Sequence, residues 1–349
     1  MNKSEQLLSA FSEDYFFKEL VIDELKFTPE GSTEVEVADL LINLDDVIIA
    51  IQLKSRNGKD QTDDYFTENK WLQKKCKNAK GQIKETLQFI SSGTLPTFTN
   101  KRGQNISLQP DAEVIPLVVF ENNQIDDYPH LLRKHSASGM NINCMSFTDY
   151  CEMCRILVTP IEIVEYLEYR KSIYEKYGDI DIMISDGIDN EMVLTKPQKN
   201  ESLVHQFLAG KYGMKKSAKQ KLSIQYFRNF LHLLPERTVN SSTENGGYKI
   251  LLFFAHFQRD EIVAFWKMLK KTKAEAKRGK TGVRHSLRAT ISEYVIIFMA
   301  NGLIPIELLM PKIRRVTEPK QVLEIEVHWF SKKEFGIDFL FRDNTTQLK

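Results

Sequence analysis

The sequence predicts an α/β domain over residues 1–158, followed by a helix-rich α+β domain over residues 159–349. The chain has 349 residues, which is more than one hydrophobic core usually organises. Its 42% of hydrophobic and 10% of aromatic residues are typical of globular proteins and exclude a mainly disordered or fibrous chain. Helical and strand patterns alternate along the first 158 residues, which favours an α/β architecture there.

The first predicted element is a helix over residues 4–20, in which Glu13, Phe16, Phe17 and Leu20 recur at the spacing of one helical face. The sequence then breaks at Pro29-Glu30-Gly31. The elements that follow are strands over 37–42 and 47–53 joined by a turn at 43–46, a helix over 68–92, and strands over 114–120 and 140–147. Pro116 argues against a central position for the strand that contains it.

The second predicted domain begins with a helix from Thr159-Pro160 to about Tyr177, because proline suits the first turn of a helix. Apolar runs predict three strands in the remainder, over 248–254, 294–298 and 322–329. The order of these elements in space does not follow from the pattern.

Charge and cysteine content narrow the class of protein. The 48 Lys+Arg and 47 Asp+Glu leave a net charge of +1, so the total charge gives no indication of a nucleic-acid partner. Four cysteines are too few for a disulfide scaffold and favour a reducing compartment. The first residues lack the apolar core of a signal peptide, and no stretch approaches the roughly 18 apolar residues of a membrane span. We therefore expect a cytoplasmic protein with no membrane contact.

Three polar residues interrupt the two apolar strands of the predicted hairpin. Gln52 and Lys54 are two positions apart in the second strand and therefore point to the same face. A turn centred on 44–45 pairs Asp39 of the first strand with Ala50, which brings Asp39 to that face with Gln52 as a diagonal neighbour at about 7–8 Å. The pattern thus predicts a polar patch on an otherwise apolar hairpin.

Burial of such a patch costs several kcal/mol unless each group finds a partner. Carboxylate and amide oxygens are hard ligands that suit Mg²⁺, with Mn²⁺ as an expected substitute, and the ammonium of Lys54 can stabilise charge on a phosphate. Because glutamine brings no charge, a second carboxylate is needed. Glu13 is the first candidate, since it extends the apolar face of its helix, and Glu19 and Glu36 are the alternatives.

The spacing of Asp39, twelve further residues and Gln52-Leu53-Lys54 resembles the PD-(D/E)XK restriction-endonuclease-like superfamily, and most closely its Mrr-type variant, in which glutamine replaces the acid. A preceding helix with Glu13 and a following helix with Gln82-Ile83-Lys84 also fit that layout. The resemblance covers about residues 13–120. The proline that usually precedes the aspartate is absent, since Ala38 stands there.

This resemblance implies a mixed sheet flanked by helices and a Mg²⁺-dependent endonuclease that hydrolyses the DNA backbone. It implies that Asp39, Gln52 and Lys54 form the catalytic core, that Glu13 assists, and that Gln82 and Lys84 lie towards the nucleic acid. It also suggests a prokaryotic role in restriction or antiviral defence.

Other interpretations stay open at this point. Asp39 and Lys54 could form a structural ion pair across the strands, Glu13 could be an exposed helix residue, and Gln82 could serve only in packing. The domain could also keep the fold as a catalytically weakened module that binds nucleic acid or assembles a larger complex.

The distribution of charge along the chain says more about a nucleic-acid partner than the net charge does. Residues 202–235 contain six Lys/Arg and no acid, and residues 267–288 contain nine Lys/Arg with Glu275 as the one acid. Such blocks are what binding to a phosphate backbone requires, although solvated helix faces look the same in sequence. The candidate nucleic-acid contacts in the second block are Lys277, Arg278, Lys280, Arg284 and Arg288. We therefore expect residues 159–349 to supply DNA grip, recognition or oligomerisation, in a homo-oligomer or a defence complex.

Overall fold

The computed structural model describes residues 3–28, 34–56, 58–125, 132–134, 141–177, 200–213, 224–227, 229–231, 246–280, 283–288, 294–301, 321–329 and 335–343. The chain divides into two compact units, Met1–Lys215 and Lys216–Lys349. None of the helices in the ranges above is both long and apolar enough to cross a membrane.

The first unit is built around a six-stranded mixed sheet in the order β1-β2-β3-β6-β8-β7. Its strands are β1 (Val21–Phe27), β2 (Val35–Asn43), β3 (Val47–Ser55), β6 (Glu113–Glu121), β7 (Leu132–Lys134) and β8 (Asn141–Ser146), while β4 (Phe98–Thr99) and β5 (Asn105–Ile106) form a separate hairpin. β3, β6 and β8 pair in parallel, and the other pairs are antiparallel. The predicted α/β class and the predicted strands at 37–42, 47–53, 114–120 and 140–147 are confirmed, whereas β1 was not predicted.

β6 lies inside the sheet although it contains a proline. Its ladder with β3 runs along the whole strand, but its ladder with β8 begins only at Leu117. The missing N–H of Pro116 therefore falls beyond the second ladder, where no partner strand needs it. This explains why Pro116 does not exclude the central position, contrary to the sequence-based expectation.

Helix α2 (Tyr65–Ser92) covers the face of the sheet that carries Gln52 and Lys54. The carboxylate of Asp64 caps its first turn, and Gly93 ends it with a φ of 65°, a left-handed conformation that favours glycine. Its apolar side chains recur on one face and pack onto β6 and β8 in a cluster that contains Leu72, Cys76, Ala79, Ile83, Val118, Phe120, Ile142 and Cys144. The predicted helix over 68–92 is thus confirmed.

Helix α1 (Lys3–Phe16) is shorter than predicted. Phe17 has a φ of 70°, which ends the helix, and Leu20 directly precedes β1. The helix contacts β1, β2 and β3, and the hydroxyl of Ser12 lies 2.9 Å from that of Tyr150 in helix α3 (Phe147–Ile156). The buried residues of α1 are Leu8, Ser9, Ser12 and Phe16.

Helices α4 (Pro160–Tyr177) and α5 (Asn200–Tyr212) belong to the first unit. The buried guanidinium of Arg170 in α4 donates to the carbonyl of Cys144 in β8 at 2.7 Å. The hydroxyl of Tyr212 in α5 donates to Glu162 in α4 at 3.0 Å. α4 and α5 thus lie in the unit that ends at Lys215, whereas the predicted boundary is at residue 158.

The second unit combines helices with a four-stranded sheet in the order β12-β11-β10-β9. Its elements are helices α6 (Gly246–Ala255) and α7 (Arg259–Lys277) and strands β9 (Val283–Arg288), β10 (Tyr294–Asn301), β11 (Gln321–Trp329) and β12 (Phe335–Asp343). The predicted strands at 294–298 and 322–329 are confirmed. The predicted strand at 248–254 is wrong, because that segment is α6: a short apolar run cannot by itself distinguish a buried helix from a buried strand.

Candidate active site

Asp39, Gln52 and Lys54 lie together on the face of the sheet that α2 covers. The ammonium Nζ of Lys54 donates to Oε1 of Gln52 at 3.0 Å and lies 3.6 Å from Oδ2 of Asp39. The side chains of Asp39 and Lys54 are 7% and 14% exposed, and Gln52 is fully buried. One positive charge is therefore held between a carboxylate oxygen and an amide oxygen near the end of β3.

The register of the hairpin differs by two residues from the predicted one. Leu41, rather than Asp39, lies opposite Ala50. The N–H of Leu44 donates to the carbonyl of Val47, so the turn centres on 45–46 instead of 44–45. A shift of two keeps every side chain on its face, which is why the predicted convergence of the polar residues does not depend on the error.

Burial dominates the electrostatics of Asp39. It raises the pKa of this carboxyl above its ordinary value, although the charge of Lys54 and a hydrogen bond from the Leu53 N–H at 2.6 Å oppose the rise. The negative charges of Glu36 and Glu5 raise this pKa further. Burial thus disfavours the ionised form of Asp39, and a bound cation would stabilise it.

We expect this raised pKa to be visible in the stability of the metal-free protein. Below the ordinary aspartate value Asp39 is protonated in both the folded and the unfolded chain. As the pH rises through the raised value, the folded chain must ionise a buried group, so wild type loses stability relative to Asp39→Asn. Urea unfolding of both proteins in a chelator, from about pH 3.5 to pH 7.5, measures the difference. If wild type instead gains stability relative to Asp39→Asn as the pH rises, the pKa of Asp39 is not raised.

Gln52 carries an unsatisfied group. Its Nε2 is buried and has no hydrogen-bond partner among the residues that the structure describes, whereas its Oε1 accepts from Lys54. An unpaired buried donor costs about 1–3 kcal/mol, which an apolar residue at this position would avoid. Such a group is more easily explained by a role in binding than by packing alone.

Glu13 does not reach these three residues. Its carboxylate lies 3.3 Å from Nζ of Lys101, which also pairs with Asp23. Asp23 is opposite Leu40 in the β1–β2 ladder, so this group lies on the other face of the sheet from Asp39. The stripe that selected Glu13 assumed a helix to Leu20, and that helix ends at Phe16.

The other acids that could complete the site are Glu19 and Glu36, and they lie in different surroundings. Glu19 is buried on its own ion pair with Nε of Arg102 at 3.0 Å. Glu36 is exposed on β2 and acts on Asp39 only through its charge. Glu5, in the first turn of α1, is another acid whose charge raises the pKa of Asp39, and the sequence pattern did not single it out. Its spacing of four and seven residues from Ser9 and Ser12 on the buried face of α1 is the signal that could have found it.

A hydroxyl and carboxylate cluster fixes the start of α1 beside the ends of β3 and β6. The Ser4 hydroxyl contacts both the Ser55 hydroxyl, at 3.1 Å, and the carboxylate of Glu121. Ser55 donates to the same Glu121 oxygen at 2.9 Å. Because Ser55 directly follows Lys54 in β3, these bonds hold the first turn of α1 at the end of the strand that carries Lys54, on the opposite face of the sheet.

A second network holds the loop that follows Lys54. Glu68 of α2 is fully buried, and its Oε2 lies 2.6 Å from Nε of Arg56 and accepts from Nδ2 of Asn122 at 2.6 Å. Its Oε1 accepts from the N–H of Thr62 at 2.9 Å. Burial opposes ionisation of Glu68, but the bonds from Asn122 and Thr62 and the charge of Arg56 keep its pKa below the ordinary value.

The donors at the site suit a hard divalent cation in part. Asp39 and Gln52 supply two converging oxygens, and Mg²⁺ commonly takes one or two protein ligands with water or phosphate oxygens completing its shell. No group of three His, Cys, Asp or Glu residues that could hold a metal occurs in the part of the chain that the structure describes. Asp39 and Gln52 are therefore the residues that would hold Mg²⁺.

The other predicted contacts lie on α2 and in the second unit. Gln82 is half-buried on α2, one turn before Thr86, whose hydroxyl contacts the carbonyl of Val37 in β2. Lys84 is exposed on the same helix. In the second unit Lys277, Arg278 and Lys280 are exposed at the end of α7, and Arg284 and Arg288 lie on β9, opposite Met299 and Val295.

Comparison of this chain with protein-family models, with curated proteins and with solved structures finds no match. The geometry of Asp39, Gln52 and Lys54 is therefore the basis on which a function can be assigned.

Proposed function

We propose that the first unit is a metal-dependent phosphodiesterase that hydrolyses the backbone of DNA. The observation that carries the proposal is the position of Lys54, whose ammonium lies 3.0 Å from the Gln52 oxygen and 3.6 Å from the Asp39 oxygen. A largely buried cluster of a carboxylate, an amide and an ammonium can bind a cation and a phosphate at the same place. The spacing that resembles the PD-(D/E)XK superfamily supports the same reaction.

Each residue has a distinct role in this proposal. Asp39 and Gln52 would hold Mg²⁺, which supplies Lewis-acid stabilisation of phosphate charge and lowers the pKa of a bound water. Lys54 moves its hydrogen bonds from the protein oxygens to the phosphate and stabilises the negative charge that develops there. The network around Glu68 keeps the loop after Lys54 in place, so that the ammonium does not have to be ordered during the reaction.

A cleavage assay tests the proposal. The full chain is incubated with supercoiled plasmid, linear duplex DNA, single-stranded DNA and RNA, with Mg²⁺, with Mn²⁺ and with a chelator. We expect cleavage of DNA with either metal and none with the chelator. Asp39→Asn should lose activity, whereas Glu13→Gln, a carboxylate on the other face of the sheet, should keep it. Metal-independent cleavage, or equal activity of wild type and Asp39→Asn, would contradict the proposal.

One observation favours a second candidate, a nuclease-fold module that binds DNA without cutting it. Asp39 is the one carboxylate among the three converging residues, because Gln52 stands where an acid would add charge. In that case the protein binds DNA in a salt-sensitive way but binds neither Mg²⁺ nor Mn²⁺. A role in prokaryotic restriction or defence, oligomer formation and a cytoplasmic location stay predictions from the sequence.

A further inference from the structure

An aromatic stack on the surface of the second unit is not used by the proposed active site. The rings of Tyr226 and Trp266 lie 5.8 Å apart between centroids and 12° from parallel. Tyr226 is 47% exposed, one of the few large hydrophobic side chains in the described part of the chain that face solvent to this degree. A stacked pair with an open ring offers a flat surface on which a further ring can stack.

The segment that carries Tyr226 is firmly anchored. The next residue, Phe227, is fully buried and packs against Phe254 at 5.6 Å and Phe265 at 5.6 Å between ring centroids. These partners belong to α6 and α7, so Tyr226 is held against α7 by a buried neighbour. Its exposure is therefore a fixed feature of this unit and not the result of a loose chain end.

A lysine lies beside the stack without covering it. Nζ of Lys270 is 5.6 Å from the Tyr226 centroid and 5.9 Å from the Trp266 centroid. An ammonium on the outer face of Tyr226 would be much farther from Trp266, so Lys270 lies at the side of the pair. Lys270 thus leaves the outer ring face of Tyr226 open within the described part of the chain, next to a positive charge.

The stack continues into a row of positive charge along α7. Trp266, Lys270, Lys273 and Lys277 follow at intervals of four, three and four residues, which places them on one helical face over about 16 Å. Glu275 lies nine residues from Trp266, on the opposite side of the helix. Lys273 is half-buried, and this burial lowers its pKa, so a nearby anion would stabilise its charge.

The same geometry joins the two acid-poor stretches of the sequence. Tyr226 lies within residues 202–235 and Lys270 within residues 267–288, and they meet at the stack. A solvated helix face explains a row of lysines, but it does not explain an anchored aromatic ring at its end. Aromatic rings beside a basic track are the arrangement that binds single-stranded nucleic acid, because every base has a face that can stack.

We propose that Tyr226, Trp266 and Lys270 form a platform on which an unpaired base of single-stranded nucleic acid stacks, while the lysine row of α7 follows its phosphates. The proposal rests on the proposed function only in taking nucleic acid as the ligand. It narrows the substrate class, since a platform of this kind selects strands whose bases are unpaired over intact duplex.

Binding measured by fluorescence anisotropy tests the platform with the full chain in a chelator, so that cleavage does not interfere. The probes are labelled oligothymidylate of about 20 nucleotides, an abasic strand of the same length and a duplex. Tyr226→Ala should weaken binding to oligothymidylate by roughly 5- to 100-fold and should change binding to the abasic strand by less than about twofold. Tyr226→Phe keeps the ring and should bind like wild type, which separates stacking from a failure to fold.

Charge variants complete the test. Lys270→Ala should weaken binding to both single strands and make the binding affinity less dependent on salt. Lys249→Ala, which removes an exposed lysine on α6, should change neither. Three results would overturn the platform. Tyr226→Ala could lose as much affinity for the abasic strand as for oligothymidylate. Wild type could bind the duplex more tightly than the single strand, or fail to bind oligothymidylate. Cleavage by Tyr226→Ala and by Lys54→Ala distinguishes the two proposals. Loss of the platform leaves the active site to be tested by cleavage, and loss of cleavage leaves the platform to be tested by binding.

Discussion

Lys54→Ala is expected to lower the rate of DNA cleavage at least about 100-fold while the fold persists. The ammonium is the group that faces both oxygens of the site, and its removal leaves the developing phosphate charge without its nearest cation. The measurement is a single-turnover cleavage assay at saturating Mg²⁺, with circular dichroism to verify folding. Raising the metal concentration should not restore the rate, because the lost charge is the protein's own.

The matched control for this variant is Lys74→Ala, which removes an exposed lysine from α2. It should cleave within about twofold of wild type, since surface charges away from a site have small effects. A Lys54→Ala protein that retains more than a tenth of the wild-type rate would contradict a role for Lys54 in the reaction.

Glu68→Ala is expected to destabilise the protein by about 3–5 kcal/mol. The change leaves Arg56 without its buried carboxylate and removes the acceptor of Asn122 and Thr62 at the same time. The loop after Lys54 should loosen as well, so cleavage should fall together with stability. Urea unfolding followed by tryptophan fluorescence measures the free energy, and Trp71, which lies against Arg56 at 5.5 Å, is a local probe.

Two further variants serve as controls for the stability loss of Glu68→Ala. Glu85→Ala removes an exposed glutamate from the same helix and should stay within about 0.5 kcal/mol of wild type. The double variant Arg56→Met/Glu68→Leu should recover part of the loss, because it removes both charges of the buried pair. A cost below about 1 kcal/mol for Glu68→Ala would show that the network does not hold the loop.

The hairpin and the helix after it follow from the sequence because their signals are local. β2 and β3 read as apolar runs, and α2 shows a capping aspartate, a periodic apolar face and a terminal glycine. The convergence of Asp39 with Gln52 and Lys54 depends only on the two-residue alternation of side chains. It therefore tolerates the error in the predicted turn, which moved the register by an even number.

Long-range packing explains where the sequence is a poor guide. Phe16, Phe17 and Leu20 extend the stripe of Glu13, but Glu13 pairs with Lys101 on the face of the sheet opposite Asp39. The strand predicted at 248–254 is wrong: this apolar segment is α6, and its Phe254 packs against Phe227 and Phe265. The division of the chain could not be placed either, because the packing of α4 and α5 on the first unit depends on buried polar contacts such as that of Arg170 with Cys144.

Composition locates the basic blocks along the sequence but does not predict which of their residues meet in the fold. The sequence locates the two acid-poor stretches, but it does not show that Tyr226 of the first meets Lys270 of the second and Trp266, which directly precedes the second. A single exposed tyrosine between lysines has no recognisable spacing, so the platform becomes visible only when the two segments fold against each other.

In the proposed site, Asp39 and Gln52 hold a divalent cation beside Lys54. Isothermal titration calorimetry of the full chain with Mn²⁺ tests this binding most directly, with Asp39→Asn and Glu13→Gln as the paired variants. We expect binding by wild type, its loss in Asp39→Asn and its retention in Glu13→Gln. Absence of binding to wild type, or equal binding by wild type and Asp39→Asn, would contradict it.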